Sequence, residues 1–419
     1  MERSINLLNL LSPTYVFFIT FVAWTAYSPL GSVFLKVYHL NLVQLGLLLA
    51  LPKLMALPTR YIAGLLSDTI GAKKTLLLIP ILSAIALVLT SFANTITQLY
   101  ISAGLLGVAG STFPAGIAYV NRKFEFFKGT YLGIYGGLGN FGSAVSGIIV
   151  PLLYVNFGFR STFIILSILI LSSIIPVLFS SEDIIEKKVT KLSPLVVEFF
   201  MVTLVFLLLV SLIKLSTLYL ISSEVILTAI LVSLIKIHGD NKTFYMSYIY
   251  FVTFGGFLAV GLWVPSIFYL VYHLKLLSSG LVLFGYGLTT IFFRPLGGTI
   301  GDFLGSNKAI YISLLSIMIS TLTFSWSLYN KELLISLISV ISLGASLSLA
   351  NGAVFKKVSE SFGSDKIGNA SGIIGGFAGF GGFVITAGLS YIDLINVALS
   401  PLLLLFLALI ALLILFIKI

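Results

Sequence analysis

Apolar runs, most of them long enough to cross a bilayer at roughly 20 residues each, alternate with short polar breaks along the whole chain. Six fall at 11–35, 43–66, 75–93, 97–120, 129–154 and 160–180. A polar stretch from Ser181 to Lys191 follows, then two more apolar runs at 194–213 and 217–236. After the break His238-Gly239-Asp240-Asn241-Lys242, six further runs lie at 244–270, 278–301, 308–327, 332–355, 368–391 and 395–417. These runs are too continuous for the alternating strands of a barrel. The pattern predicts an all-α membrane protein of two six-helix bundles, 1–180 and 244–419. Between them lies a cytoplasmic linker, 181–243, with an extra hydrophobic hairpin. The hairpin suits two additional crossings, giving twelve core spans plus two, or a pair of interfacial helices.

Basic residues orient the spans. With the N-terminus cytoplasmic, Lys73, Lys74, Arg122, Lys123, Lys128, Lys187, Lys188, Lys191, Lys308, Lys356, Lys357 and Lys366 fall inside, whereas Lys36, Arg160, Lys214, Lys275 and Lys331 fall outside. This is the positive-inside bias, and it places both termini in the cytoplasm of a cell-membrane protein. A single extra span would reverse the second half and spoil the bias. The opening Met1-Glu2-Arg3 leads directly into the first span, so no cleavable leader is expected.

Composition narrows the class further. A mean hydropathy of +1.14 and 9% charged residues exclude an ordinary soluble domain, in which about a quarter of residues are charged. The net charge of +10 follows from topology, so no nucleic-acid partner is expected. The chain has no cysteine, which excludes disulfides and thiolate chemistry. His39, His238 and His273 sit at predicted span ends in dissimilar surroundings, so no metal is expected. With no nucleophile–base pair and no cofactor motif, an enzyme is not expected.

The two halves repeat. Arg60 and Arg294, Asp68 and Asp302, and Lys74 and Lys308 are each offset by 234 positions, as are Val37-Tyr38-His39-Leu40 and Val271-Tyr272-His273-Leu274. The glycine-rich run Gly133-Ile134-Tyr135-Gly136-Gly137-Leu138-Gly139-Asn140-Phe141-Gly142 returns as Gly372-Ile373-Ile374-Gly375-Gly376-Phe377-Ala378-Gly379-Phe380-Gly381. Two parallel six-span repeats with a midplane site between them are the signature of the major facilitator architecture. The turn Gly64-Leu65-Leu66-Ser67-Asp68-Thr69-Ile70-Gly71-Ala72-Lys73-Lys74 resembles that superfamily's cytoplasmic loop motif.

Each arginine precedes its cytoplasmic aspartate by eight residues, roughly 12 Å of helix, which puts both near the middle of the bilayer. The acidic residues fall in cytoplasmic segments, at outer span ends (Glu332, Asp393) or in the hairpin (Glu198, Glu224), leaving none inside the core spans. Arginines without a counter-ion there call for an anion, because an uncompensated buried charge costs several kcal/mol. A guanidinium fork matches a planar oxyanion. The alternative is satisfaction by backbone carbonyls or cavity water. Asn140 is an inward donor or a packing residue. Lys53, two helical turns outward of Arg60, either snorkels to the outer surface or adds charge to an outer vestibule.

The glycine-rich runs carry a narrower resemblance. Gly129-x-x-x-Gly133 through Gly142, together with Asn351-Gly352-Ala353-Val354-Phe355-Lys356 and Gly368-x-x-x-Gly372 through Phe383, resembles the paired signatures of the nitrate/nitrite porter family. Phe293-Arg294-Pro295-Leu296-Gly297-Gly298 is similar to that family's eighth core span. The resemblance implies an anion held between Arg60 and Arg294, closed by Tyr250 and Phe254 from the seventh span and Phe113 from the fourth. The signature glycines Gly136, Gly137, Gly139, Gly375, Gly376 and Gly379 read for the most part as close helix packing, and bare faces in the fifth and eleventh core spans would also let backbone approach a small ligand and let the bundles slide. The resemblance also implies gating by the loop residues Gly64, Asp68, Gly71, Lys73, Lys74, Asp302 and Lys308. The expected function is transport of nitrate, nitrite or both by alternating access, with nitrate/nitrite exchange as one form of it, by a monomer. A carrier or exporter of another small organic anion and an anion sensor or channel are the alternatives.

Overall fold

The computed structural model describes residues 7–124, 128–182, 241–361 and 367–418. The hairpin at 194–236, with Glu198 and Glu224, lies outside the described residues, as do His238 and the side chain of Asp68.

The described residues form helices α1 (Leu8–Trp24), α2 (Gly31–Val37), α3 (Leu42–Leu66), α4 (Ala72–Ser91), α5 (Ile96–Leu105), α6 (Thr112–Lys123), α7 (Lys128–Ser172) and α8 (Ile174–Leu178) before the central segment. After it come α9 (Asn241–Tyr250), α10 (Gly256–Tyr272), α11 (Leu276–Leu304), α12 (Ser306–Tyr329), α13 (Leu333–Ser361), α14 (Ile367–Asp393) and α15 (Pro401–Lys418). Eleven stretches among the described residues are long and apolar enough to cross a membrane. One of them, Tyr131–Leu178, runs for 48 residues, more than twice the roughly 20 needed for a crossing. It is broken at Gly158, whose φ of 77° and ψ of 176° no helix contains. Apolar residues on the lipid side, such as Ile168, Phe179, Ile319 and Phe416, are exposed, as expected where the solvent is hydrocarbon.

Several spans are built from pieces, for local reasons. Between α1 and α2 the chain passes through a 3-10 turn, Ser28–Leu30. A 3-10 stretch, Leu106–Ser111, separates α5 from α6, and π turns occupy Ser67–Gly71 and Phe251–Gly255. Such irregular turns re-aim side chains and carbonyls and recur at functional positions. The repeat seen in sequence is also a repeat of backbone. His39 and His273 adopt φ of 50° and 54°, and Gly71 and Gly305 adopt φ of 101° and 88°.

Contacts between the halves run along two seams, α3 against α14 and α7 against α11. Small residues make both possible. A methyl added to Gly280 would lie 1.8 Å from the Gly147 carbonyl oxygen, and one on Gly287 2.6 Å from Ala144 Cβ. At the end where α1 finishes, the Ser28 hydroxyl donates to the Gly261 and Leu262 carbonyls at 2.9 and 3.0 Å. Gly31 packs on Ser266 and Gly46 on Ser390 at the same end. That end of the seam is closed.

Asp393 ends α14, as its place at a span end implies. It is buried, accepting from Trp263 Nε1 at 2.6 Å and from the Ser400 hydroxyl. Those bonds tie α14 to α10 and to the start of α15.

Gly280→Val should force α7 and α11 apart, because the clash is with backbone that cannot rotate away. Overpacking of this kind destabilises by about 1–3 kcal/mol or more, read as a lower thermal unfolding midpoint in detergent. Ile319→Phe, an enlargement on the exposed lipid face, should leave that midpoint unchanged.

Candidate functional site

Arg60 projects from α3, a helix that Pro52 and Pro58 deprive of two backbone donors. Its guanidinium is buried, 3% exposed, against the 3-10 stretch 106–111 on one side and α14 on the other. Gly107 and Gly110 let that stretch press on α3 and on the Trp24 ring. The Gly110 carbonyl is thereby brought to accept from Arg60 Nε at 3.0 Å. Nη1 donates to the Gly375 carbonyl across the seam, also at 3.0 Å. Nη2 is buried without a protein acceptor. The carbonyl alternative is thus met for part of the guanidinium and fails for the rest.

Arg294 on α11 mirrors it with different partners. Its Nη2 donates to the Tyr250 hydroxyl at 3.1 Å, and its Nη1 is buried without an acceptor. Tyr250 ends α9, and the π turn that follows carries Phe254, whose ring stacks on Tyr250 at 5.3 Å and 6°. The Arg294 guanidinium carbon lies 5.4 Å from the Phe254 ring and 5.6 Å from Phe355.

A continuous aromatic path joins the two cations. Arg60 lies 5.8 Å from the Phe113 ring, Phe113 meets Phe355 edge-on at 6.2 Å, and Phe355 meets Tyr250 edge-on at 5.2 Å. Of the expected residues, Arg60, Phe113, Arg294, Tyr250 and Phe254 are therefore one cluster. Phe355 and Trp24 join it without having been singled out; Phe355 lay inside the quoted signature Asn351–Lys356, and nothing in the sequence marked Trp24. Asn140 stands apart on α7. Its neighbour Gly139 backs onto the Phe17 ring, and Phe17 reaches Phe113 at 5.6 Å. The Asn140 Nδ2 is buried and has no acceptor.

The signature glycines divide. Gly139 packs on Phe17, and Gly376 faces Leu57, which is plain packing. Gly379 lies beside Arg60, its added methyl 3.8 Å from Nη1, and Gly375 faces Phe113. Gly136 and Gly137 face open space within 4 Å although both are buried.

Lys53 does not reach the outer surface. It neither snorkels nor lines a vestibule in this state; it is fully buried. Its Nζ donates to the Trp24 carbonyl at 3.0 Å and sits 3.2 Å from the centre of the Trp24 ring. Trp24 Nε1 returns a bond to the Pro52 carbonyl at 3.1 Å, and the Arg60 guanidinium lies 5.1 Å from the same side chain. One tryptophan is shared by two cations. Among the described residues the only buried acid is Asp393, held at the far end by Trp263 and Ser400.

At the loop motif, Lys73 is buried and clamps the end of the sixth run, donating to the Leu178 and Ser180 carbonyls and pairing with Glu182 at 2.9 Å. Arg122 Nη1 donates to the Ser67 carbonyl at 2.9 Å. Asp302 pairs with Lys356 of the same half. Lys74 and Lys308 are exposed, and nothing packs within 4 Å of an added methyl on Gly64.

The sequence matches the Major Facilitator Superfamily over residues 14–386. The chain belongs to the Major Facilitator Superfamily. It is a multi-pass membrane transporter, not an enzyme. Among curated proteins, this facilitator is 29% identical over 371 residues to the probable nitrate transporter NarT of Staphylococcus epidermidis, covering 87% of this chain and 83% of that one. It is 27% identical to NarT of Staphylococcus carnosus, over 94% and 91% of the two chains. The probable nitrate/nitrite transporter NarK2 of Mycobacterium tuberculosis is 24% identical over 95% and 92%.

The burial of Lys53 generates a stability prediction for this facilitator. A cation–π contact contributes about 2 kcal/mol when desolvated, whereas desolvating an ion costs several kcal/mol. Lys53→Met keeps the unbranched shape and removes the charge, so its thermal unfolding midpoint in detergent should rise above that of the unaltered protein. A midpoint several degrees lower would show that the ammonium is net stabilising.

Proposed function

We propose that the protein moves nitrate, nitrite or both across the cell membrane by alternating access, the anion lying between Arg60 and Arg294. The observation that carries this reading is a matched pair of unused donors. Arg60 Nη2 and Arg294 Nη1 are both buried without an acceptor, on guanidiniums linked through Phe113 and Phe355. Two cations with buried, spare N–H groups, and no acid beside them among the described residues, are complementary to one small oxyanion. Aromatic faces beside both cations favour a flat ion over a tetrahedral one. The names of the relatives support the same substrate class.

In this reading the chain is a twelve-span core of two bundles, 1–180 and 244–419, with the break at Gly158 dividing α7 into two crossings. The protein is monomeric with cytoplasmic termini. The seam closed by Ser28, Gly31 and Gly46 is then the outer gate. Opening there while the opposite end closes would expose the arginines to each side in turn. The lack of an acid in the site, among the described residues, favours exchange of one anion for another over a carboxylate proton relay.

Labelled nitrate exchanging against internal nitrite in proteoliposomes, with and without a pH gradient, tests this directly. Arg60→Lys and Arg294→Lys keep the charge and remove the fork. Each should lower uptake by about 100-fold, the size of effect seen when a positioned charged donor is lost from a buried site. Undiminished nitrate uptake in both variants would rule out the arginine pair as the binding site. Saturable exchange of small carboxylates in place of nitrate would move the substrate to an organic anion.

A further inference from the structure

Lys53 belongs to no part of the binding site described above, yet it lies on the same seam as Arg60. The two are seven residues apart on α3, roughly 10 Å along the axis and on one face. The same glycines of α14 cover both. A methyl on Gly379 would stand 3.5 Å from the Lys53 carbonyl oxygen and 3.8 Å from Arg60 Nη1, and one on Gly382 would stand 3.4 Å from Lys53 Cγ. The cover over the lysine's backbone and stem is thus supplied by the opposite half of the protein, along the outer part of the seam. The Nζ itself rests on a carbonyl and an indole face of its own half, both from Trp24. One carbonyl occupies one of three N–H donors.

We infer that Lys53 is an outer docking point for the anion, uncovered when α14 parts from α3 at the outer gate and lying on the path to Arg60. This rests on the transport reading above and extends it to the route by which the ion arrives. As the outer gate opens, the glycine cover leaves Lys53 before it leaves Arg60, because Lys53 is nearer the parting end. The ammonium then faces water with two donors to offer, and the charge gathers anions into the cleft. When the gate closes the anion has passed to the arginine pair, and Lys53 returns to the Trp24 face. A fully buried ammonium is expensive to keep, and a role in the open state accounts for its presence where a purely packed seam would use an apolar residue.

Uptake of external nitrate at varied ionic strength tests the proposal. Lys53→Met should raise the external KM about tenfold, the order expected of one steering charge in a cleft. The maximal rate should stay within about twofold, and the salt dependence of KM should flatten. Lys53→Arg should restore both KM and its salt dependence. Because the chain has no cysteine, Lys53→Cys supplies a unique thiol. Added outside, a methanethiosulfonate bearing an ethylammonium group should lower the raised KM of that variant, and the neutral methyl reagent should not. An unchanged external KM in Lys53→Met, a fall in maximal rate alone, or equal rescue by the neutral reagent would overturn the docking role while leaving nitrate transport standing. Absence of nitrate uptake in the unaltered protein would overturn the transport reading and this one with it.

Discussion

Positive charge without a negative partner among the described residues, held in the seam between the two halves, is the constraint on which the rest of this structure depends. Arg60 and Arg294 each spend part of the guanidinium on the protein, on two carbonyls in one case and on a tyrosine hydroxyl in the other. Each keeps one nitrogen unspent. Leaving a charged donor unsatisfied in a low-dielectric interior is costly, so the fold around it must be rigid enough to prevent collapse onto it. The π turn after Tyr250, the 3-10 stretch beside Arg60 and the glycine contacts along α14 provide that rigidity locally. The 3-10 stretch sets the Gly110 carbonyl, the π turn carries the Phe254 ring, and the bare α14 glycines admit the Gly375 carbonyl to Arg60.

The asymmetry of the pair matters as much as its symmetry. Arg60 is bonded across the seam to Gly375, in the opposite half, whereas Arg294 is bonded to Tyr250 in its own. Any motion that separates the outer ends of the two halves therefore acts on Arg60 more directly than on Arg294. Trp24 adds to this, since it touches both Arg60 and Lys53 and is tied to α3 through Pro52.

Much of this was legible in the chain because membranes impose simple rules. A hydrocarbon solvent makes long apolar runs unavoidable, and any arginine within one stands out. The 234-residue offset extended from sequence to backbone, as the paired left-handed histidines and the paired glycine turns show. Aromatic partners were harder to read. With 34 phenylalanines, no sequence rule separates Phe355 from one that faces lipid; only the crossing of α13 with α9 and α11 does. The fate of Lys53 was illegible for the same reason, because its burial depends on glycines more than 300 positions away. Lys73 looked like a gating charge and is also a clamp on the end of the first half, a role fixed by Leu178, Ser180 and Glu182.

The closed end of the seam near Ser28 is made of a hydroxyl on carbonyls and of glycines against serines. These contacts carry no net charge. Under the proposed alternating access, their separation would expose polar groups that water can satisfy at once, so these contacts would act as a latch of low stiffness. In such a cycle the electrical work would fall largely on the ion and the cations that hold it, and the membrane voltage would act mainly on cargo.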